Sequence, residues 1–327
     1  MALIRGSDFD FEKHGINILI SGLPGSGKST LALSASNKAL DLDFDNNGVY
    51  RLDARFRQDS LFEEVTPETT LEDIKKDIDG LDPKSFDTII VDTFDKALEW
   101  IQPQVIAEKP GVYAQSDGSL SQKGYGELAK KWAAFYTYLK GFHKNLIIVA
   151  HAKEVSDDSI TKLRIQGIGK SKDDIYNDLD LSGFLIFQGT KRRLSFENNE
   201  QWYAKSSHGI TGTFDIPDVP VGQPNDFLAR LIDQYHANVA EEEKQYKSEK
   251  GTYDNAVKLV AEIDKAKTVK DINKLVDAVK NTKQALTSER ELKTRINDKA
   301  TALGFVWSKE ANGYVNSASG STSVAKE

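Results

Sequence analysis

The residue types with the clearest chemical meaning stand in one short run, Gly22-Leu23-Pro24-Gly25-Ser26-Gly27-Lys28-Ser29, followed by Thr30. Glycine admits positive φ and lets a backbone come close to a ligand. Gly22, Gly25 and Gly27 therefore predict a turn whose successive N–H groups converge on phosphate oxygens. The ammonium of Lys28 suits the β- and γ-phosphates, the Ser29 hydroxyl suits a bound Mg²⁺, and Thr30 is placed for the α-phosphate. Pro24 and Ser26 complete the loop. Such a cradle needs a buried strand before it and a helix N-terminus after it. Ile16–Ser21 supplies the apolar run, and Ser29 to about Lys38 carries the helical pattern, so the segment reads as a P-loop for a nucleoside triphosphate.

Three further polar residues close apolar runs. Phe86–Val91 is a β-branched run that ends in Asp92, a Walker B element in form; a carboxylate there would support Mg²⁺ beside Ser29. Asn145–Ala150 ends in His151, placed to hydrogen-bond a γ-phosphate and sense its loss, although a lone histidine is more often structural. Ala39–Asp45 ends in Asp43 and Asp45. These two acids either face the phosphate loop or belong to a solvated turn, Asp45-Asn46-Asn47-Gly48.

Around these sites the periodicity predicts a helix over Thr70–Asp79, a helix over 94–101, an irregular stretch from Pro103 to Gly126, and a helix over Glu127–Phe142. A second polar segment spans 152–180 with Lys153, Lys162, Arg164, Lys170 and Lys172. Strands are expected at 183–188, 193–197 and 201–205, turning at Glu197–Glu200. Lys191, Arg192, Arg193 and Lys205 sit on this hairpin region; such exposed charges normally just solvate, yet a lysine or arginine here could reach a neighbouring subunit's γ-phosphate. A helical region follows Pro217–Pro224, with a terminal hairpin at 304–315. This predicts an α/β domain over 1–221, a helical region over 222–315 and a disordered, serine-rich tail over 316–327.

Composition bounds the function classes. The 327 residues contain no cysteine, which excludes disulfides and thiolate-ligated zinc and fits a reducing compartment. The five histidines have no metal-ligand spacing, so any metal is expected to arrive with the nucleotide. A net charge of −7 argues against binding nucleic acid by bulk charge; local basic loops would be required. No run approaches a membrane span and the first residues are too polar for a signal peptide, so a cytoplasmic location is expected.

The ordered motifs resemble the phage P-loop nucleotide-binding proteins with a RecA-like core, some of which act as recombinases in single-strand annealing. The likeness covers about residues 14–215. It rests on the P-loop, Asp43-Phe44-Asp45-Asn46-Asn47-Gly48-Val49-Tyr50-Arg51, Val91-Asp92-Thr93 with Lys96, Gly124-Tyr125-Gly126, Ala150-His151-Ala152-Lys153-Glu154, and Ala204-Lys205 before Gly209. The resemblance implies a mainly parallel sheet and an ATPase using ATP and Mg²⁺. Asp45 would polarise the attacking water, Asp92 would support the metal, His151 would sense the γ-phosphate, and Lys205 would act in trans. It also implies assembly as a ring or filament on single-stranded DNA, held by the segments at about 103–125 and 152–178, in the cytoplasm of a bacterial host. A phage single-strand-binding or replication protein is a possible further partner. The competing reading is a nucleotide-switched replication accessory or loader that binds a protein through its C-terminal helices.

Overall fold

The computed structural model describes residues 15–45, 50, 60–157, 160–167, 175–220, 222–281, 283 and 288–317. Most of the tail expected over 316–327, the turn at Asn46–Gly48, and Arg51, Arg55 and Arg57 lie outside them. The chain divides into two compact units, Met1–Ala240 and Glu241–Glu327.

The first unit is built on β1 (Asn17–Gly22), β2 (Ala39–Asp43), β3 (Leu61–Glu64), β4 (Thr88–Asp92), β5 (Asn145–Asp157), β6 (Ile160–Ile165), β7 (Leu181–Gln188), β8 (Lys191–Ser195) and β9 (Thr213–Asp215). They form one sheet in the order β3-β2-β4-β5-β1-β7-β8-β9, with β6 paired to β5. The strands from β3 to β7 along that order run parallel, whereas β6, β8 and β9 pair antiparallel. The expected α/β class with a mainly parallel sheet is present.

Parallel strands are covered on both faces, and alternate side chains go to opposite layers. Leu19, Leu42, Val91 and Ile148 join one core with α2 (Leu71–Asp79), α3 (Phe94–Glu108) and α5 (Gln122–Lys140). Ile18, Ile20, Ile90 and Val149 join another with α1 (Lys28–Ala32) and the start of α6 (Phe227–Lys265). The one-turn helix α4 (Pro110–Tyr113) lies between α3 and α5 in sequence.

Several boundaries differ from those read in the sequence. The helix after the P-loop ends at Ala32 and continues as a 3₁₀ turn to Ala35, not to Lys38. The stretch 103–126 is not irregular: α3 runs through Pro103 to Glu108, and α5 begins at Gln122. Pro103 forfeits one helical hydrogen bond, but Ile101 and Val105 on either side are fully buried and hold the helix. Gly124 lies in the first turn of α5, where a Cβ would run into the Tyr113 carbonyl. The glycine there permits close packing of α4, and Ser121 caps the turn by accepting from the Gly124 N–H at 3.1 Å.

β5 continues six residues past His151 and pairs with β6, so much of the segment expected as polar loop is a two-stranded ribbon. The hairpin turn lies between β7 and β8 at Gly189, whose φ is 64°, rather than at Glu197–Glu200. Residues 201–205 contribute isolated bridges instead of a strand. The expected domain boundary at 221/222 is also displaced. Leu228, Leu231, Ile232, Tyr235 and Val239 are buried in the core of the first unit, so the division falls after Ala240.

In the second unit α7 (Val269–Asn281), α8 (Ser288–Ala302) and the hairpin β10–β11 (Phe305–Ser308, Gly313–Asn316) enclose a core of Ile272, Leu275, Val279, Leu292 and Ile296. The helical region and terminal hairpin expected there are found. No helix among the described residues is long and apolar enough to cross a membrane.

Candidate active site

The parallel register sets the C-terminal strand ends side by side. Gly22 of β1 pairs with His151 of β5, while Asp92 of β4 lies beside Asp43 of β2 and Val149 of β5. The edge beyond the carboxyl ends of parallel strands is where α/β sheets bind ligands. A cavity of about 540 Å³ opens there, lined among others by Gly25, Lys28, Ser29, Asp45, Asp92 and His151.

The loop takes the conformation its glycines predict. Gly25 and Gly27 have φ of 74° and 91°, left-handed values that disfavour other residues, and Gly27 is the N-cap of α1. Leu31 and Ala32 anchor that helix in the core. Lys28 is 4% exposed and its Nζ donates to the Leu23 carbonyl at 3.0 Å. Burial lowers its pKa from the usual lysine value, against the raising influence of Asp92, Asp95 and Asp45.

Asp92 is a buried carboxyl. Burial, with Asp43 and Asp45 nearby, pushes its pKa up to about 6 despite a hydrogen bond with the Ser29 side chain and the charge of Lys28. Its Oδ1 is buried without a hydrogen-bond partner. Asp41, on the same face of β2 as Asp43, is raised well above the usual aspartate value by burial and by the charges of Asp92 and Asp43. An orphaned carboxylate oxygen beside a serine hydroxyl is a hard-oxygen donor pair that fits Mg²⁺, which Ser29 and Asp92 would hold. Among the described residues no group of three or more His, Asp or Glu could hold a metal alone.

Asp45 lies two residues past the end of β2, and its N–H donates to Asp43 Oδ1 at 3.1 Å. Of the two arrangements left open by the sequence, the structure has Asp45 on the cavity wall. His151 is fixed by Asp95, one carboxylate oxygen accepting its backbone N–H at 3.0 Å and the other meeting Nδ1 at 2.9 Å. Burial raises the Asp95 pKa, but these two bonds outweigh it and the net shift is downward. Ionised Asp95 can only accept, so Nδ1 donates to it and Nε2 is left for a second partner. Asp95 is held in turn because Phe94, fully buried, packs edge-on against Trp132 with centroids 4.9 Å apart.

Thr93, Asp95, Lys96 and Gln166 also line the cavity. Thr93 and Lys96 are visible only through the family resemblance, and Asp95 and Gln166 are not singled out in the sequence. Asp95 lies in the first turn of α3, but its partner is 56 residues away and no local pattern marks the pair.

Residues 14–208 match the AAA domain family AAA_24. The chain belongs to this P-loop ATPase family. A comparison with curated protein sequences gives no match. Among solved structures, the KaiC-like protein PH0186 from the archaeon Pyrococcus horikoshii OT3 is similar at 12% identity and a TM-score of 0.37, over 62% of this chain and 90% of that one.

Within the AAA domain, Pro24, Gly25, Gly27, Lys28, Ser29 and Thr30 line the cavity together, with Asp45, Asp92 and His151. Gly22 and Ser26 do not. Gly22 ends β1 behind the loop, where a Cβ would stand 3.0 Å from the Leu185 carbonyl, and Ser26 lines an adjoining crevice. Lys205 is outside the cavity of its own chain. It bridges to Ser182, level with Leu19 and about 10 Å of strand below Gly22, and its Nζ donates to the Leu179 carbonyl.

Proposed function

We propose that this AAA-domain protein is a Mg²⁺-dependent ATPase that acts on single-stranded DNA in recombination or annealing, as the resembling phage proteins do. The observation that carries the proposal is the convergence of Lys28, Ser29, Asp45, Asp92 and His151 on one cavity at the strand ends.

Hydrolysis at such a site is positioning plus electrostatics. The N–H groups of the loop and Lys28 bind the triphosphate. Ser29 and Asp92 would hold Mg²⁺, which would supply charge neutralisation to the triphosphate. The Asp45 carboxylate accepts a hydrogen bond from the attacking water and aims its oxygen at the γ-phosphorus. His151, with Nδ1 tied to Asp95, turns Nε2 toward the γ-phosphate end. Lys205 of a second copy would supply the trans-acting cation of a ring or filament once released from the Leu179 carbonyl.

The DNA reading draws on the β5–β6 ribbon. Lys153 pairs with Arg164 and Val155 with Lys162, so one face of the ribbon holds three cations and an exposed apolar side chain. Such a surface suits a phosphate backbone with unstacked bases. The stretch at 103–125, largely helical, contributes no comparable loop.

The test is phosphate release from ATP with and without single-stranded DNA, with particle size measured in the same samples. Stimulation with assembly, lost steeply with added salt, is the expected result. ATPase indifferent to DNA, with a protein partner retained through the second unit, would replace this reading with the loader alternative.

A further inference from the structure

A second crevice adjoins the phosphate cavity and shares Gly27 and Thr30 with it. Leu185, Ile216, Pro217 and Val219 give it apolar walls, and Ser26 and Arg192 are among its polar groups. The Ser26 hydroxyl is buried without a hydrogen-bond partner. Asn225, also on the wall, ties the crevice to the loop through its Nδ2, which donates to the Thr30 carbonyl at 2.9 Å. Free space amounts to about 30 Å³, room for a water or two and not for a ring, since one water needs roughly 10–15 Å³.

Arg192 accounts for the small volume. A Cβ on Gly27 would stand 2.9 Å from its Nη1, so the guanidinium lies against the phosphate loop itself. Its side chain is 31% exposed, and Nη2 is 3.8 Å from the fully exposed carboxylate of Asp218. An exposed pair at that distance is weakly held, so little opposes a swing of the guanidinium outward.

With the triphosphate in the loop and Thr30 at the α-phosphate, the rest of a nucleotide leaves the cavity past Thr30, toward this crevice. We propose that the crevice is the nucleobase seat, and that Arg192, which lies across it against Gly27, moves toward Asp218 to become the planar face on which the base stacks. A guanidinium stacks on an aromatic ring as an ammonium cannot, and the apolar wall of Ile216 and Val219 covers the other face. The inference rests on the nucleotide reading above and adds which residues hold the base.

Calorimetric titration of the full chain with MgATP and, separately, with magnesium tripolyphosphate tests this, because tripolyphosphate occupies the loop and lacks a base. Arg192→Ala and Arg192→Lys are expected to weaken MgATP roughly tenfold and leave tripolyphosphate unchanged. Val219→Trp, filling the seat, should do the same, and thermal melts check that each variant folds. Equal loss of both ligands in Arg192→Ala would make Arg192 a phosphate ligand and overturn the proposal, as would unchanged MgATP affinity in all three variants. Failure of the wild-type chain to bind either ligand would defeat the P-loop reading itself, a result distinct from loss of the hold on the base.

Discussion

Asp92 and Asp95 are three residues apart, both buried and both on the same cavity, yet their acidities move in opposite directions. Asp92 ends a strand where desolvation dominates and a carboxylate oxygen lacks a partner, so its proton is held up to about 6. Asp95 opens a helix, and both its oxygens are engaged by His151, so its net shift is downward in spite of burial. Proximity to one site does not fix a carboxylate's state; the number of donors facing it does. Asp92 is left with a need that a cation can meet, whereas Asp95 is already satisfied and works by fixing another side chain.

The largest expected effect comes from removing the charge both acids share. Lys28→Ala should lower ATP turnover at least about 100-fold, read as phosphate release; turnover near wild type would remove Lys28 from the mechanism. Next, Asp45→Asn should keep MgATP affinity while turnover falls about 100-fold. Full activity in that variant would leave Asp45 as wall only. Asp95→Asn keeps the shape but gives His151 an amide in place of an acceptor-only carboxylate, and turnover should fall about tenfold with MgATP affinity unchanged. A fall in affinity instead would make Asp95 a binding group and dissolve the contrast with Asp92.

The smallest effect is on stability. A carboxyl whose pKa is higher folded than unfolded costs nothing below the unfolded value, and the cost grows as pH rises to the folded value. For Asp92 the metal-free penalty should therefore appear between about pH 4 and 6, reaching about 2–3 kcal/mol. Asp92→Asn should match the wild-type melting temperature near pH 4 and exceed it above pH 6. The lowered pKa of Asp95 acts in the opposite sense, its stabilisation being lost as pH falls below the usual carboxylate range. A constant difference between the Asp92 variant and wild type across that range would show that Asp92 is not buried as an unpaired acid.

The same contrast explains what was legible in the sequence. Gly22–Ser29 is a local device whose chemistry and conformation are written in consecutive residues, and Asp92 is marked by the β-branched run it closes. The Asp95–His151 pair needs β4, α3 and β5 in place before the two meet, so neither residue signals the other. Pro103 and Gly124 misled for a related reason. Each is a local breaker, but buried neighbours at Ile101 and Val105 override the first, and close approach of Tyr113 requires the second. The β5–β6 ribbon reads as loop because its run of charged and polar residues resembles a solvated turn, whereas its pairing is a long-range property of the backbone.

The first fourteen residues of α6 bear on where the chain can be cut. A fragment ending at residue 221, as the proline-bearing segment invites, would strip Leu228, Leu231, Ile232 and Tyr235 from the face of the sheet that also carries α1. At about 1.5–3 kcal/mol for each buried side chain, the loss approaches the whole 5–15 kcal/mol by which an ordinary domain is stable. It would also uncover the packing surface beneath the phosphate loop, and with it Leu31 and Ala32. A fragment retaining residues through Ala240 keeps that buttress, and is the shorter chain to choose for isolating the ATPase unit.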